Sequence, residues 1–524
     1  MKALSALSPR LLPLLPAAAG LLAMAPALFN GFVDWDDMQY VVQNPALRGG
    51  WLEALKFYSG FYHPLTTLSY KLDLALFGLS PAGFHAVNLL LYAAVCGLVC
   101  RLFTALGASS LSAALGALLF AVHPLHAEAA AWVSGRKELL WGLFALLSLL
   151  SYLRYLDEGG GKKLARSFAW FLAALLAKPS AAVLPLLLLL LDLYRGRGTG
   201  RAVLLEKLAF VLPAAALALL SWSLSGSVLA AASPEMPAEA GRAAFSAAEA
   251  AAAALHALLF YFGKFLAPLE LSPLYPALAL PVHGYWYLAG AAALLCALSW
   301  RVCRRGPGLF RDRAVLGAFF FPACLLPGLA ITPPADRYAF LASAGLCLAY
   351  GELAGKLAAA RPAAGRLLKF LLPAHLLALA ALCAANTFTW RNSLALWNRV
   401  LAVNPREAVA RYGRGNALRA AGLIEEAEAE YGKALQLQPR YWRPLANRGR
   451  LKAERGDFAG ALADYGAAIA LYPSSAQLYL NRGNAYAGLR RHHEAASDFR
   501  KALELSPGLP AAENGLREAE RAVR

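Results

Sequence analysis

Acidic residues are scarce in this chain: 32 Asp and Glu stand against 50 Lys and Arg, a formal charge of +18 over 524 residues. In a soluble chain that imbalance would point to nucleic acid. Here many of the cations sit in short clusters between apolar runs, where they read as topology signals rather than as a groove for a phosphate backbone, so no nucleic-acid partner is implied. Cysteine is used sparingly and unevenly. Cys96, Cys100, Cys296, Cys303, Cys324, Cys347 and Cys383 lie in or beside hydrophobic segments and none follows, which excludes a disulfide framework and a Cys metal cage. The first apolar run, 11–29, starts with Lys2 and Arg10 but lacks a convincing small-residue cleavage site. It is read as a first spanning helix, not a signal peptide.

What the chain has in excess is apolar surface: 59% of its residues are hydrophobic and its mean hydropathy is +0.48. That exceeds what a water-soluble core needs, so lipid must solvate much of it. The bias is confined to residues 9–386, which are rich in Leu and Ala, whereas the chain after about 390 is charged and amphipathic. The predicted class is all-α: a polytopic membrane domain over 1–386, a connecting half-repeat helix over 387–407, repeats over 408–509 and a polar capping helix over 510–524.

Runs near twenty apolar residues can cross a hydrocarbon layer of ~30 Å. Candidates fall near 9–29, 82–101, 108–124, 138–155, 165–178, 180–194, 203–224, 246–267, 284–301, 314–331, 337–355 and 366–386. Cation clusters around Arg101, Arg154–Arg166, Arg195–Arg201, Arg301–Arg313 and Lys356–Lys369 mark one set of connections as cytoplasmic. A full crossing by 246–267 would put the 301–313 cluster on the wrong side, so that run is assigned to an interfacial or re-entrant helix, with a hidden extra crossing as the alternative. About eleven crossings then place the N-terminus inside and the C-terminal tail outside. High Ala, Leu and Arg usage with compact loops leans towards a bacterial inner membrane.

Prolines recur at Pro405, Pro439, Pro473 and Pro507, each 34 residues after the last, the tetratricopeptide period. Gly415, Gly449 and Gly483 keep the same register, as do Ala427, Ala461 and Ala495, and Tyr431, Tyr465 and Phe499. Small residues let two helices approach, the aromatic fills the space between them, and proline ends the second helix. Three such repeats form a short curved groove. Its concave positions would include Tyr412, Asn416, Arg419, Arg443, Arg450, Gln477 and Asn484, facing either a peptide or protein acceptor or only solvent.

Ionisable groups near a bilayer are costly and often functional. On the expected outer side the first cluster is Asp34, Asp36 and Asp37. Closely spaced carboxylates raise one another's pKa, which suits one to accept a proton; they can equally hold a cation or cap a surface turn. Next come His63-Pro64-Leu65-Thr66 and the run His123-Pro124-Leu125-His126-Ala127-Glu128 to Arg136-Lys137-Glu138. The two histidines and Glu128 have metal-ligand chemistry, although Pro124 interrupts helical spacing, and no resident metal is assigned while a divalent ion stays open. Arg136 and Lys137 can grip a phosphate or merely snorkel, and Lys178 and Arg337 answer to something negative, such as the acidic cluster or a lipid-linked phosphate.

Taken in order, the Asp-Asp pair after the first span, the His-Pro-Leu-Thr stretch, the run from His123 to Glu138, Asp336-Arg337-Tyr338 and the C-terminal repeats resemble one family. It is that of the transmembrane and tetratricopeptide-repeat-containing O-mannosyltransferases and their bacterial relatives, multispanning transferases of the GT-C type. The resemblance implies an inverting transfer of sugar from a polyprenyl-phosphate donor to a protein or glycolipid acceptor on the extracytoplasmic face. It places Asp36 and Asp37 at the catalytic centre, Arg136, Lys137 and Arg337 on the leaving phosphate, and His123, His126 and Glu128 around the same cavity. The chain departs from the pattern at His63, where Arg is common, and at Lys178, which is followed by Pro179. Two other readings stay open at this level: a scaffold whose repeats recruit envelope proteins, and an en bloc oligosaccharide transferase or polymerase.

Overall fold

The computed structural model describes residues 8, 10–56, 62–232, 247–276, 304, 307–329, 334–360 and 362–524. The described residues form helices, turns and loops with no strand among them, in two compact units that divide between Leu396 and Trp397. The expected crossing at 284–301 lies outside the described residues.

The first unit contains α1 (Leu14–Met24), α2 (Pro64–Phe77), α3 (Pro81–Ala105), α4 (Ser110–Val122), α5 (Ala127–Ala131), α6 (Arg136–Glu158) and α7 (Gly161–Ala177). It continues with α8 (Leu184–Tyr194), α9 (Arg201–Ala232), α10 (Ala247–Leu266), α11 (Arg313–Leu329), α12 (Ser343–Ala360) and α13 (Pro362–Thr387). Proline at the first turn starts several of them, where its missing N–H costs nothing. Gly159 and Gly160, both at positive φ, turn the chain between α6 and α7. Large apolar side chains point away from the protein, with Phe29 86% and Phe370 76% exposed, as lipid solvation requires.

Among the described residues four stretches are long and apolar enough to cross a membrane: Pro81–Ala105, Val133–Glu158, Arg201–Leu220 and Gly365–Trp390. α4 and the segment Pro124–Ala131, bent by 53° at Pro124, make a fifth if they act as one. The expected eleven full crossings are therefore not reached among the described residues. Proline is part of the reason. Leu14–Phe29, Pro179–Tyr194, Ala251–Leu266 and Arg313–Leu329 are shorter apolar helices, and the first two include 3-10 turns begun at prolines. Glycines let α12 lie against two neighbours: a Cβ on Gly116 or Gly351 would strike the backbone of the facing α12 or α4, and one on Gly317 or Gly345 that of the facing α12 or α11.

The second unit begins inside α14 (Ser393–Val403) and pairs α15 (Ala408–Ala420) with α16 (Ile424–Leu437), α17 (Trp442–Glu454) with α18 (Phe458–Leu471), and α19 (Ala476–Gly488) with α20 (His492–Leu505). Each pair packs as its period requires: Gly415, Gly449 and Gly483 admit the rings of Tyr431, Tyr465 and Phe499. The amphipathic α21 (Pro510–Val523) covers the last ring with Ala512 and Ala519. Trp397 fills the space beside Gly413.

Candidate active site

The acidic loop is held from below by ordinary hydrogen bonds. Asn30, buried after α1, donates its side-chain amide to the carbonyls of Ala131 (3.3 Å) and Thr387 (3.0 Å). The loop then folds back on itself, with Val33 N–H donating to Asp37 Oδ2 at 3.0 Å. The other oxygen of Asp37 accepts from the backbone N–H (3.0 Å) and hydroxyl (2.5 Å) of Ser134. Burial pushes the Asp37 carboxyl up to about 6, against the downward pull of these bonds, and the neighbouring Asp36 charge adds to the rise. Asp37 thus ties the acidic loop to the turn that opens α6. Asp36 differs: its side chain is 29% exposed, and its Oδ2 accepts from Lys137 Nζ at 3.0 Å.

Two further ion pairs complete the cluster. Arg337 donates to Glu128 from its guanidinium at 2.5 Å and from its backbone N–H at 2.8 Å. Lys178 meets Glu138 at 2.5 Å, and Trp141 Nε1 donates to the second oxygen of Glu138. Aromatic faces link the three cations. Trp132 lies 5.0 Å from Lys137 and 5.7 Å from Arg337, and Tyr338 lies 5.0 Å from Arg337 and 5.2 Å from Lys178. Trp132 is itself stacked on Trp390. His63 joins the cluster as a neutral ring, since burial, then the charges of Lys137 and Lys178, lower its pKa to about 3. Asp336 accepts from the Tyr275 hydroxyl at 2.8 Å and is raised well above the usual carboxylate range by burial and by Glu128.

Segments near residues 36, 63, 128, 137, 178 and 337 therefore meet in one patch. Three cations of distant origin are held over shared aromatic faces, next to one partly exposed carboxylate. Such an arrangement suits a phosphate group beside a proton acceptor.

Arg136 takes a different place from Lys137. It is fully buried, pairs with Asp73, donates to Asn88 Oδ1 (2.7 Å) and the Phe84 carbonyl (2.8 Å), and lies 4.9 Å from the Tyr70 ring. Its fork is occupied inside the protein. His126 is similarly occupied, with Nδ1 on the Phe120 carbonyl and Nε2 on the Ser343 hydroxyl. His123 stacks on Phe265 at 4.8 Å and bonds its carbonyl. Among the described residues no three His, Cys, Asp or Glu side chains converge as metal ligands would. Asp73 and Asn88 went unread in the sequence. A lone acid in the apolar stretch after His63 was the available signal for Asp73.

In the second unit a cavity of about 390 Å³ is lined by Tyr412, Arg443, Arg450 and Gln477 of the expected groove, and by Trp442, Asn447 and Asn481, which were missed. Asn416 sits behind it, accepting from Tyr431 (2.9 Å) and Asn447 (2.8 Å). Arg419 faces Tyr431, and Asn484 does not line the cavity.

The helix pairs of the second unit are tetratricopeptide repeats, and the family model described as Tetratricopeptide repeat matches residues 389–441 and 447–510. Curated relatives then agree with the motif resemblance. Protein O-mannosyl-transferase TMTC2 of Mus musculus is 44% identical over 111 residues, 21% of this chain and 13% of its own. TMTC1 of Mus musculus is 38% identical over 172 residues (28% and 18%), and TMTC3 of Homo sapiens 35% over 144 residues (24% and 15%). The chain thus matches less than a fifth of the length of each of these relatives, and it resembles the transmembrane, tetratricopeptide-repeat-containing O-mannosyltransferases in sequence as well as in motif order. Among solved structures, the first tetratricopeptide domain of Spaghetti (RPAP3), bound to an HSP90 peptide, is 30% identical over 22% of this chain and 94% of that one, with a TM-score of 0.22.

Proposed function

We propose that this chain is a membrane glycosyltransferase that moves a sugar from a polyprenyl-phosphate donor to a hydroxyl of a protein acceptor, outside the cytoplasm. The observation that carries the reading is the juxtaposition of Asp36 with Lys137, Lys178 and Arg337 around Trp132 and Tyr338. In the proposed step Asp36 takes the proton of the acceptor hydroxyl as its oxygen attacks the anomeric carbon. The bond from that carbon to the phosphate oxygen breaks, and the configuration inverts. The three cations meet the charge left on the lipid phosphate, where fixed positive groups act most strongly on a developing anion. Trp132, buried behind Lys137 and Arg337, holds these two cations in place. Asp37 keeps Asp36 in place and does not touch the substrate.

The repeats are assigned to the acceptor. Their cavity combines Tyr412 and Trp442 with Arg443 and Arg450, a lining suited to an extended peptide carrying carboxylates. Carrying acceptor site and transferase on one chain raises the effective concentration of the acceptor.

The test is transfer from labelled polyprenyl-phosphate mannose to a protein acceptor by the purified full chain, comparing wild type with Asp36→Asn. Loss of a general base costs about 10²- to 10⁴-fold, so the variant should fall by that factor while melting at the wild-type temperature. Undiminished transfer by the variant removes Asp36 from the chemistry. A wild type inactive with mannose and with other lipid-linked sugars, but retaining envelope proteins through its repeats, would make the chain a scaffold.

A further inference from the structure

The opposite end of the same helices carries a second basic site. α6 holds Lys137 at its start and Arg154 near its end, about 25 Å apart at 1.5 Å per residue, close to the thickness of a hydrocarbon layer. Between the ends of α3 and α6 and the start of α7 lies a cavity of about 790 Å³. Arg101, Arg154 and Arg166 project to it from the three helices, and Arg10 reaches it from the residues before α1. Its walls are apolar, with Leu98, Leu147, Leu150 and Trp170 among them.

What distinguishes these four arginines is that they line one cavity, and among the described residues no ion pair balances them. Several other cations at this end of the unit hold a carboxylate: Arg195 holds Asp157 (2.9 Å), Lys207 Asp192 (2.7 Å), Arg313 Glu352 (3.0 Å) and Lys356 Asp312 (2.9 Å). Among the described residues no carboxylate pairs with the guanidinium of Arg10, Arg101, Arg154 or Arg166. Asp157 is the one acid lining the cavity, and Arg195 already engages it. Four like charges converge there without an internal counter-ion, beside a wall of leucine and tryptophan. That combination calls for an anion with apolar chains attached.

We propose that this cavity binds an anionic phospholipid of the leaflet opposite the candidate active site, its phosphate among the four arginines and its acyl chains along Leu98, Leu147 and Leu150. The inference does not depend on the transferase reading, because it needs only a membrane-embedded chain. Basic pockets between transmembrane helices hold lipid headgroups by this chemistry, each surface cation contributing a separate increment of attraction.

The full chain in phosphatidylcholine nanodiscs, titrated with fluorescent phosphatidylglycerol, tests it. Phosphatidylglycerol should bind at least about tenfold more tightly than a phosphatidylcholine of the same chains, since several cation increments add. The triple variant Arg101→Gln, Arg154→Gln and Arg166→Gln should lose that preference. Lys162→Gln, an exposed cation of α7 outside the cavity, should keep it, and so should the triple variant to lysine, which guards against a folding defect in the glutamine triple. Equal binding of the two lipids, or a glutamine triple that retains the preference, overturns the proposal. Displacement of the lipid by inorganic phosphate at equal concentration overturns it too, because the site would then recognise a free anion and not a lipid.

Discussion

In the repeat unit, Arg414, Arg448 and Arg482 each reach a carboxylate sixteen residues on, Glu430, Asp464 and Asp498, at 2.6–2.7 Å. In the membrane unit, Asp36 reaches Lys137, Asp73 reaches Arg136, Glu128 reaches Arg337 and Glu138 reaches Lys178. The repeat pairs join the two helices of one hairpin, recur with the 34-residue period and keep their arginines partly in solvent. Those of the membrane unit join segments between forty and about two hundred residues apart, and most of their atoms are buried. The same interaction therefore serves different ends. In the repeats it is a small local staple, duplicated with the fold; at the site it fixes which distant segments may face one another, at a desolvation cost that only good geometry offsets.

Breaking a buried pair should separate the two cases most sharply. Arg136→Met leaves Asp73 uncompensated in the interior and removes the donors that hold Asn88 and the Phe84 carbonyl. The expected loss is about 3–5 kcal/mol, read as a large fall in the melting temperature of the membrane unit in detergent. The double variant Arg136→Met with Asp73→Leu should recover part of it, because the stranded charge is then gone. A single variant that melts like wild type would mean that this pair is solvated and that the contrast between the units is false.

The same contrast explains what could be read in advance. Every feature of the repeats recurs at a fixed short spacing, so Pro405, Gly415, Ala427 and Tyr431 announce themselves three times over, and the staple from Arg414 to Glu430 was there to be read in the same register. The candidate site has no period. Asp36, Lys137, Lys178 and Arg337 stood out because charges are costly beside a bilayer, and they do meet. Arg136 and its neighbour Lys137 carry the same charge and read alike in sequence, yet one residue of helix is a turn of about 100° and sends the two side chains to different surroundings. Asp73 and Asn88, which hold Arg136, lie 63 and 48 residues upstream with nothing local to connect them. The expected number of crossings is not reached among the described residues for a related reason: hydropathy sees apolar runs, and several of them form helices shorter than a full span.

Protonation offers a smaller and more graded test. Asp37 has a folded pKa of about 6, above the ordinary 3.8, because burial outweighs its hydrogen bonds. Its native state holds the proton more tightly than the unfolded chain does, so the stability this group contributes is complete below about pH 4 and is lost as the pH rises through about 6. Asp37→Asn cannot ionise. The melting-temperature advantage of wild type over this variant should therefore shrink between about pH 4 and 7. Glu430, in the repeats, behaves in the opposite sense: burial raises its pKa, but hydrogen bonds from Arg414 and Lys433 lower it overall. Its contribution should be lost only on acidification below the ordinary glutamate range. A constant gap for Asp37→Asn from pH 4 to 7 would show that its carboxyl does not titrate in that window.

The smallest effect should come from the staples themselves. Asp464 is nearly buried and accepts from Arg448 at 2.6 Å and Lys452 at 2.9 Å, but both cations keep contact with water. Removing a partly exposed pair costs about 1 kcal/mol or less, so Arg448→Gln should lower the denaturation midpoint of the repeats only slightly. Because the staple recurs in each hairpin and each repeat contacts only its neighbours, the loss should be nearly additive when Arg414→Gln and Arg482→Gln are combined with it. A triple variant whose loss far exceeds the sum of the three would mean that the staples act as one network along the solenoid. The repeats would then resemble the candidate site, where Lys137 and Arg337 share the Trp132 ring and Arg337 and Lys178 share that of Tyr338.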